Sequence, residues 1–241
     1  MKKATAIAIR VASAGALAAL CSGCPDPNIY GTPRTTPVGK LSHTVAIQSA
    51  TYSFDNTKHA AGATDGTTTL LPPSYQLRIG VADTLDIGIR VAHASSLGAD
   101  VKWNFVKTDV FDMAVDPSIQ AWFYDSCSTD GGSHGQVYAN LPLLFGINVS
   151  DSVSIVPTAG ITYGCASRET LFGNSPSDAA NIRGVMIRGG LGVEFRQSSK
   201  FGFHPELTYL RYVGADTEPA ISWVVFGFGL NFGALPQWGG N

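Results

Sequence analysis

Between Tyr75 and Lys107 the chain alternates apolar and polar residues three times over. Tyr75, Leu77, Ile79 and Val81 share one face, and Gln76, Arg78 and Gly80 the other. Leu85, Ile87, Ile89 and Val91 oppose Asp86, Gly88, Arg90 and Ala92, and Ala99, Val101, Trp103 and Phe105 oppose Asp100, Lys102 and Asn104. Successive side chains of a strand point to opposite faces, so this pattern predicts three antiparallel strands with one apolar and one charged face. It recurs at 113–124, 136–148, 153–163, 185–196, 201–212 and 221–232. His43–Phe54 adds a further strand, in which Val45 and Ile47 lie opposite Tyr52 and Phe54, so a bulge or a change of phase is required. The expectation is ten strands.

An apolar face can be the core of a soluble sandwich or the lipid face of a transmembrane barrel. Connection lengths separate the two. The junctions at Asp83, Thr108-Asp109, Ser150-Asp151 and Gln197–Lys200 are tight. Those at 55–73, 125–135 and 165–182 are long, and 93–97 and 213–219 are intermediate. Tight and longer connections alternate, as in outer-membrane barrels with short periplasmic turns and longer outer loops. A Greek-key sandwich has no reason to alternate them.

Aromatic residues on the apolar face fall into two bands. Trp103, Phe105, Phe145, Phe195, Phe201, Phe203 and Phe232 lie toward the tight turns, and Tyr75, Phe123, Tyr163 and Tyr209 toward the long loops. Such bands suit the two headgroup regions of a bilayer. The predicted fold is therefore an all-β, antiparallel up-and-down transmembrane barrel over residues 43–232. Pro117, Pro142, Pro157 and Pro205 interrupt predicted strands and are read as bulge sites, which sets a range of eight to twelve strands.

The chain resembles Gram-negative outer-membrane β-barrel proteins over about 43–232. The hairpin GVADTLDIGIRV, the segment HPELTYL and the terminal phenylalanine of FGFGLNF carry the likeness. It implies an outer-membrane location and handling by the barrel-assembly machinery. Family members usually end at that last aromatic, whereas here a tail, 233–241, follows Phe232.

Residues 1–23 read as a secretory signal: Lys2, Lys3 and Arg10 precede an apolar run from Val11 to Leu20 that is too short to span a bilayer as a helix. Ser22 and Gly23 before Cys24 resemble the bacterial lipoprotein signal, which implies lipid attachment at Cys24 and handling by lipoprotein-export machinery. The alternative is cleavage near Ala16–Ala18, leaving Cys24 a thiol. Pro25, Pro27, Pro33 and Pro37 among Thr, Gly and Asn make 24–42 an extended periplasmic tether. An even strand count then places both chain ends in the periplasm. Losing residues 1–23 removes three of 16 Lys+Arg and no acid, so the mature net charge is 13 − 18 = −5. That balance argues against a nucleic-acid partner; outer-membrane lipids are the expected surroundings.

Cys127 and Cys165 both fall at the long-loop end, and in an oxidising compartment a disulfide between neighbouring loops is expected, with two free thiols the alternative. The polar faces bring Arg78, Asp86, Arg90, Asp100, Lys102, Asp116, Arg188, Glu194, Arg196, His204 and Glu206 into the lumen. Isolated buried charges are costly, so a paired network filling a narrow barrel is expected; the alternative is a narrow channel for small hydrophilic solutes. His204-Pro205-Glu206 puts a base beside a carboxylate, but the paired aspartates of barrel proteases are missing, so no catalytic residue is assigned. An enzyme acting on lipid or peptide stays the third alternative. His43, His59, His93 and His134 have no ligand spacing, so neither metal nor cofactor is expected. The expected function is a non-enzymatic outer-membrane barrel lipoprotein with a structural or surface-exposed role.

Overall fold

The alternation closes on itself. The computed structural model describes residues 26–54, 68–92, 96–122, 136–166, 182–213 and 221–238. In chain order the strands are β1 (Leu41–Phe54), β2 (Thr68–Ala82), β3 (Leu85–Ala92), β4 (Ser96–Lys107), β5 (Phe111–Val115) and β6 (Ser118–Trp122). They continue as β7 (Gln136–Ser150), β8 (Val153–Ala166), β9 (Ile182–Ser198), β10 (Phe201–Val213) and β11 (Ile221–Gly233). Each is antiparallel to its neighbours, and β1 pairs with β11 from Ser42 opposite Gly233 to Phe54 opposite Ile221. That pairing joins the first and last strands and removes the free edge an open sheet would carry.

β5 and β6 both pair with β4 and with β7. They are two halves of one wall strand, parted at Asp116-Pro117, so eleven segments build a ten-stranded barrel. The prolines expected to mark bulges instead mark gaps in one ladder across which the register is unchanged, because each lacks an N–H to give. Pro142 lies on β7 between its pairing to β6, which ends at Asn140, and to β5, which begins at Leu143. Pro157 falls in the gap between the Leu144–Thr158 and Ile147–Ile155 pairs of β7 and β8. Pro205 falls between the Phe203–Phe195 and Glu206–Gly192 pairs of β10 and β9.

The two faces are inverted relative to a soluble domain. Ile79, Ile87, Ile89, Val101, Leu191, Leu207 and Phe226 are exposed on the outer wall, whereas Gln48, Gln76, Asn104, Thr158 and Thr208 are buried inside it. Alternation of apolar-out and polar-in along every strand is the transmembrane-barrel arrangement. Among the described residues no helix is long and apolar enough to cross a membrane.

At the tight-turn end Phe195 stacks on Phe203 at 4.8 Å, Phe203 on Phe228 at 5.6 Å, and His43 on Phe232 at 5.0 Å. The opposite band is sparser. Tyr163 and Tyr209 stand near the long-connection ends of β8 and β10, but Tyr75 is mid-strand, because β2 starts at Thr68 inside the segment expected to be loop 55–73. Phe123 lies outside the described residues. In β1, Ala46, Gln48 and Ala50 all face inward, so the strand keeps one phase at least to Ala50. The irregularity lies in β2: Ser74 faces Ala46 and Leu71 faces Gln48, leaving Pro72 and Pro73 opposite Ile47 alone.

Candidate functional site: a charged lumen filled by the N-terminal segment

The segment expected to be a free tether is packed inside the barrel. Asp26, Asn28, Ile29, Tyr30, Thr32, Arg34 and Thr36 are all buried. An extended chain in a polar lumen must find partners for its main-chain groups, and the strand walls supply them. Arg188 donates to the carbonyl of Pro27 at 2.7 Å, Arg90 to that of Asn28 at 2.7 Å, and Lys102 to that of Thr32 at 3.1 Å. Carboxylates take the amides: Glu206 accepts from Ile29 at 2.9 Å and Tyr30 at 2.7 Å, and Asp86 from Thr36 at 2.9 Å. Successive N–H groups turned to one side form an anion-binding hollow, here occupied by Glu206. The turn depends on Tyr30, whose φ of 54° is in the left-handed region. That conformation costs a non-glycine residue roughly 1–2 kcal/mol.

Tyr30 is also the side-chain anchor. Its hydroxyl donates to Gln48 at 2.8 Å, and its carbonyl accepts from Asn231 at 3.0 Å. Two inward glycines of β11 make the space. A Cβ on Gly227 would stand 1.8 Å from the Tyr30 hydroxyl oxygen, and one on Gly229 2.8 Å from the Tyr30 Cβ. Below it Arg34 pairs with Asp112 at 2.8 Å, and the Thr35 hydroxyl donates to the carbonyl of Asp83 in a tight turn.

Two wall clusters complete the lumen. Arg78 joins Asp86, Asp100 and Asp116, the last at 2.9 Å, and Lys102 lies 3.5 Å from Asp86. Each partner comes from a different wall position, so one guanidinium gathers three carboxylates that would otherwise be buried together. His204 Nδ1 is 3.0 Å from Glu194 and its Nε2 3.7 Å from Glu206, while Asn231 donates to Glu194 at 2.8 Å. His204 has no exposed surface. Among the described residues little space is left around the middle of the segment: two cavities beside it hold about 20 Å³ and 30 Å³, room for a water or two each, whereas a recess of about 230 Å³ opens at the tight-turn end beside Arg34, Asp83 and Lys107.

Ten of the eleven luminal residues expected from the sequence are brought inside: Arg78, Asp86, Arg90, Asp100, Lys102, Asp116, Arg188, Glu194, His204 and Glu206. Arg196 is the exception. It sits at the tight-turn rim, donating to the carbonyls of Asp151 and Pro236 and lying 4.2 Å over the Trp238 ring. It therefore clasps the C-terminal tail, whose Leu235 and Trp238 are buried and whose Trp238 indole donates to Ser150 at 2.8 Å. Cys24 and Cys127 lie outside the described residues, and Cys165 contributes only its place at the long-connection end of β8, opposite Arg183 of β9.

Sequence reasoning missed Tyr30, Arg34, Gln48, Asp112 and Asn231. The inward glycines at 227 and 229 were the available signal, because a strand face without side chains leaves room that something else must fill. Among the described residues, no group of three or more His, Cys, Asp or Glu is placed to hold a metal ion.

No protein-family model matches the chain, and no curated protein matches it. Solved structures do. The COG4313 outer membrane channel from Pseudomonas putida F1 is 11% identical, with 87% of this chain and 100% of that chain covered and a TM-score of 0.46. The outer membrane protease OmpT from Escherichia coli is 7% identical, covering 83% and 98% with a TM-score of 0.44. Ail, the attachment invasion locus protein of Yersinia pestis, is 13% identical, covering 81% and 99% with a TM-score of 0.38.

Proposed function

We propose that this chain is a non-enzymatic outer-membrane β-barrel whose lumen is sealed by its own N-terminal segment, with a structural or surface-exposed role. The observation that carries it is the filled interior. Residues 26–36 meet the wall through cations on carbonyls and carboxylates on amides; the cavities beside Asp26, Ile29 and Tyr30 hold about 20 Å³ and 30 Å³, and a larger recess of about 230 Å³ lies at the tight-turn end beside Arg34, Asp83 and Lys107. A ten-stranded barrel is near the size at which side chains alone fill the interior, and a strand of peptide completes the filling. The apolar outer wall supports the membrane location, because water would not tolerate so continuous an exposed surface. His204 has no exposed surface and meets the Tyr30 ring edge-on at 6.5 Å, which supports a structural role. Lipid attachment at Cys24 belongs to the same proposal and rests on Ser22 and Gly23 preceding it; a Cys24→Ser variant should lose acyl mass from its N-terminal peptide.

The test is conductance. Full-length protein reconstituted in a planar bilayer should give no stable single-channel current. A steady current from full-length protein would overturn the sealed lumen and favour the narrow channel for hydrophilic solutes.

A further inference from the structure

β11 leaves the wall at Gly233. The backbone there has a φ of 101°, in the left-handed region, and a Cβ would stand 2.7 Å from the Leu41 carbonyl oxygen. Beyond that point the chain bends inward, so that Leu235 and Trp238 are buried. The bend is fastened from both sides. The amide of Gly233 donates to the Lys200 carbonyl at 3.0 Å, that of Ala234 to Leu41 at 2.8 Å, and that of Leu235 to Ser199 at 3.1 Å.

The start of β1 and the β9–β10 turn are thereby left on either side of a strand that has bent away. Both β1 and β10 pair with β11, so they stand two strand spacings apart, roughly 10 Å. A recess of about 480 Å³ is lined by Lys40 on one side, Ser199 and Lys200 on the other, and Gly233, Ala234 and Leu235 of the bend. Lys40 and Lys200 are exposed, and neither ammonium makes an ion pair with a described residue. The described residues lining the recess include no carboxylate.

The recess adjoins the apolar wall. Leu41, Phe201 and Phe232 are exposed on the outer face, and they are the chain neighbours of Lys40, Lys200 and Gly233. A small anion would use only the two lysines. A ligand with an anionic head and acyl chains would use both surfaces, because lysine stems lie along apolar surface while their ammoniums reach headgroup level.

We propose that this notch binds one anionic phospholipid from the leaflet at the tight-turn end. Its phosphate lies between Lys40 and Lys200, and its acyl chains run along Leu41, Phe201 and Phe232. This rests on the outer-membrane reading above, which makes that leaflet the periplasmic one. A zwitterionic lipid is disfavoured, because its own cation would meet two ammoniums with no carboxylate among the lining residues to offset them. The bound lipid would bridge β1 and β10 across the end of β11, at the seam where the first and last strands close the barrel.

The test uses the purified full chain in detergent. A mobility shift on boiling is checked first, and its failure in the unmodified chain would sink the barrel reading itself. Given a folded barrel, phosphatidylglycerol and phosphatidylcholine with identical acyl chains are offered in equal amounts, and retained lipid is read by native mass spectrometry. The expected result is a single phosphatidylglycerol adduct in roughly tenfold excess, the size two such cations support. Lys40→Gln/Lys200→Gln should bring the two lipids to parity. Lys107→Gln, which removes a tight-turn cation outside this recess, should keep the excess. No preference in the unmodified chain, an excess that survives the double variant, or an equal loss in Lys107→Gln would each overturn the proposal. Glycerol phosphate, a headgroup without chains, should not displace the adduct; displacement would mean a site for free phosphate and overturn the lipid. Should the double variant lose its boiling shift, the single variants Lys40→Gln and Lys200→Gln decide the matter, each expected to cut the excess about threefold, with an unchanged excess in both overturning the proposal.

Discussion

Glu206 Oε2 accepts the backbone N–H of Tyr30 at 2.7 Å, joining residues 176 apart in sequence. One strand carboxylate, fully inside the barrel, therefore determines where the N-terminal segment lies. Because the neighbouring amide of Ile29 reaches the same carboxylate at 2.9 Å, the pair acts as a single clamp.

Removing the clamp should loosen the segment without opening the wall. In Glu206→Ala two buried amides lose their shared acceptor, and a buried donor left unsatisfied costs about 1–3 kcal/mol. The expected outcome is faster amide hydrogen exchange over 26–36 by at least tenfold, with exchange in β9–β11 unchanged. Glu206→Gln, which keeps one acceptor oxygen, should show a smaller increase.

The Tyr30 site can be closed from the other side. A side chain at position 227 would occupy the space of the Tyr30 hydroxyl. Gly227→Val should displace the ring and cost about 1–3 kcal/mol of unfolding stability, the usual range for overpacking. Conductance should appear in bilayers with this variant while wild type stays silent. A silent Gly227→Val barrel with normal stability would contradict the packing described for Tyr30.

Arg78 holds three carboxylates from separate wall positions. Arg78→Ala leaves them buried with Lys102 as the nearby cation, and breaking a buried ion pair costs about 3–5 kcal/mol. The barrel should unfold at lower urea in detergent. Asp100→Asn in the Arg78→Ala background should recover part of the loss, because it removes one uncompensated charge. Equal stability of the two variants would argue against the cluster acting as a unit.

The outer wall offers a test of the membrane itself. Ile89 is 48% exposed in the middle of β3. Ile89→Arg should cost about 2–4 kcal/mol if that position lies near the bilayer midplane, measured by reversible unfolding from lipid vesicles. In a water-soluble protein an exposed substitution of this kind changes stability by under about 0.5 kcal/mol, so a neutral result would count against a lipid-facing wall.

At the rim, Trp238→Ala removes the ring beneath Arg196 and the indole hydrogen bond to Ser150. Limited proteolysis of purified protein should then cut the tail after Phe232, with the boiling-dependent mobility shift intact. Loss of the shift would mean that the tail contributes to closure of the barrel.

What the sequence determined by itself was the wall. Period-two alternation needs only local information, so runs such as Leu85, Ile87, Ile89 and Val91 gave away their outward face. The polar positions between them carry charged side chains that are buried on the inner side of the wall, such as Arg78, Asp86, Asp100 and Lys102. Alternating connection lengths ordered the strands up and down, and the prolines marked gaps in the ladders rather than the bulges expected of them, including the Pro117 gap that splits one wall strand into two segments. Tertiary structure alone decided what fills the barrel. An extended, proline-containing segment has no periodicity, and its hydrogen-bond partners, Glu206, Arg188, Arg90, Lys102 and Asp86, lie between 50 and 177 residues away. Those partners converge only once β1 has paired with β11, because closing the ring is what sets opposite walls one peptide chain apart. Arg196 shows the same limit: alternation turned it inward, and only the fold of the tail placed it at the rim with Trp238.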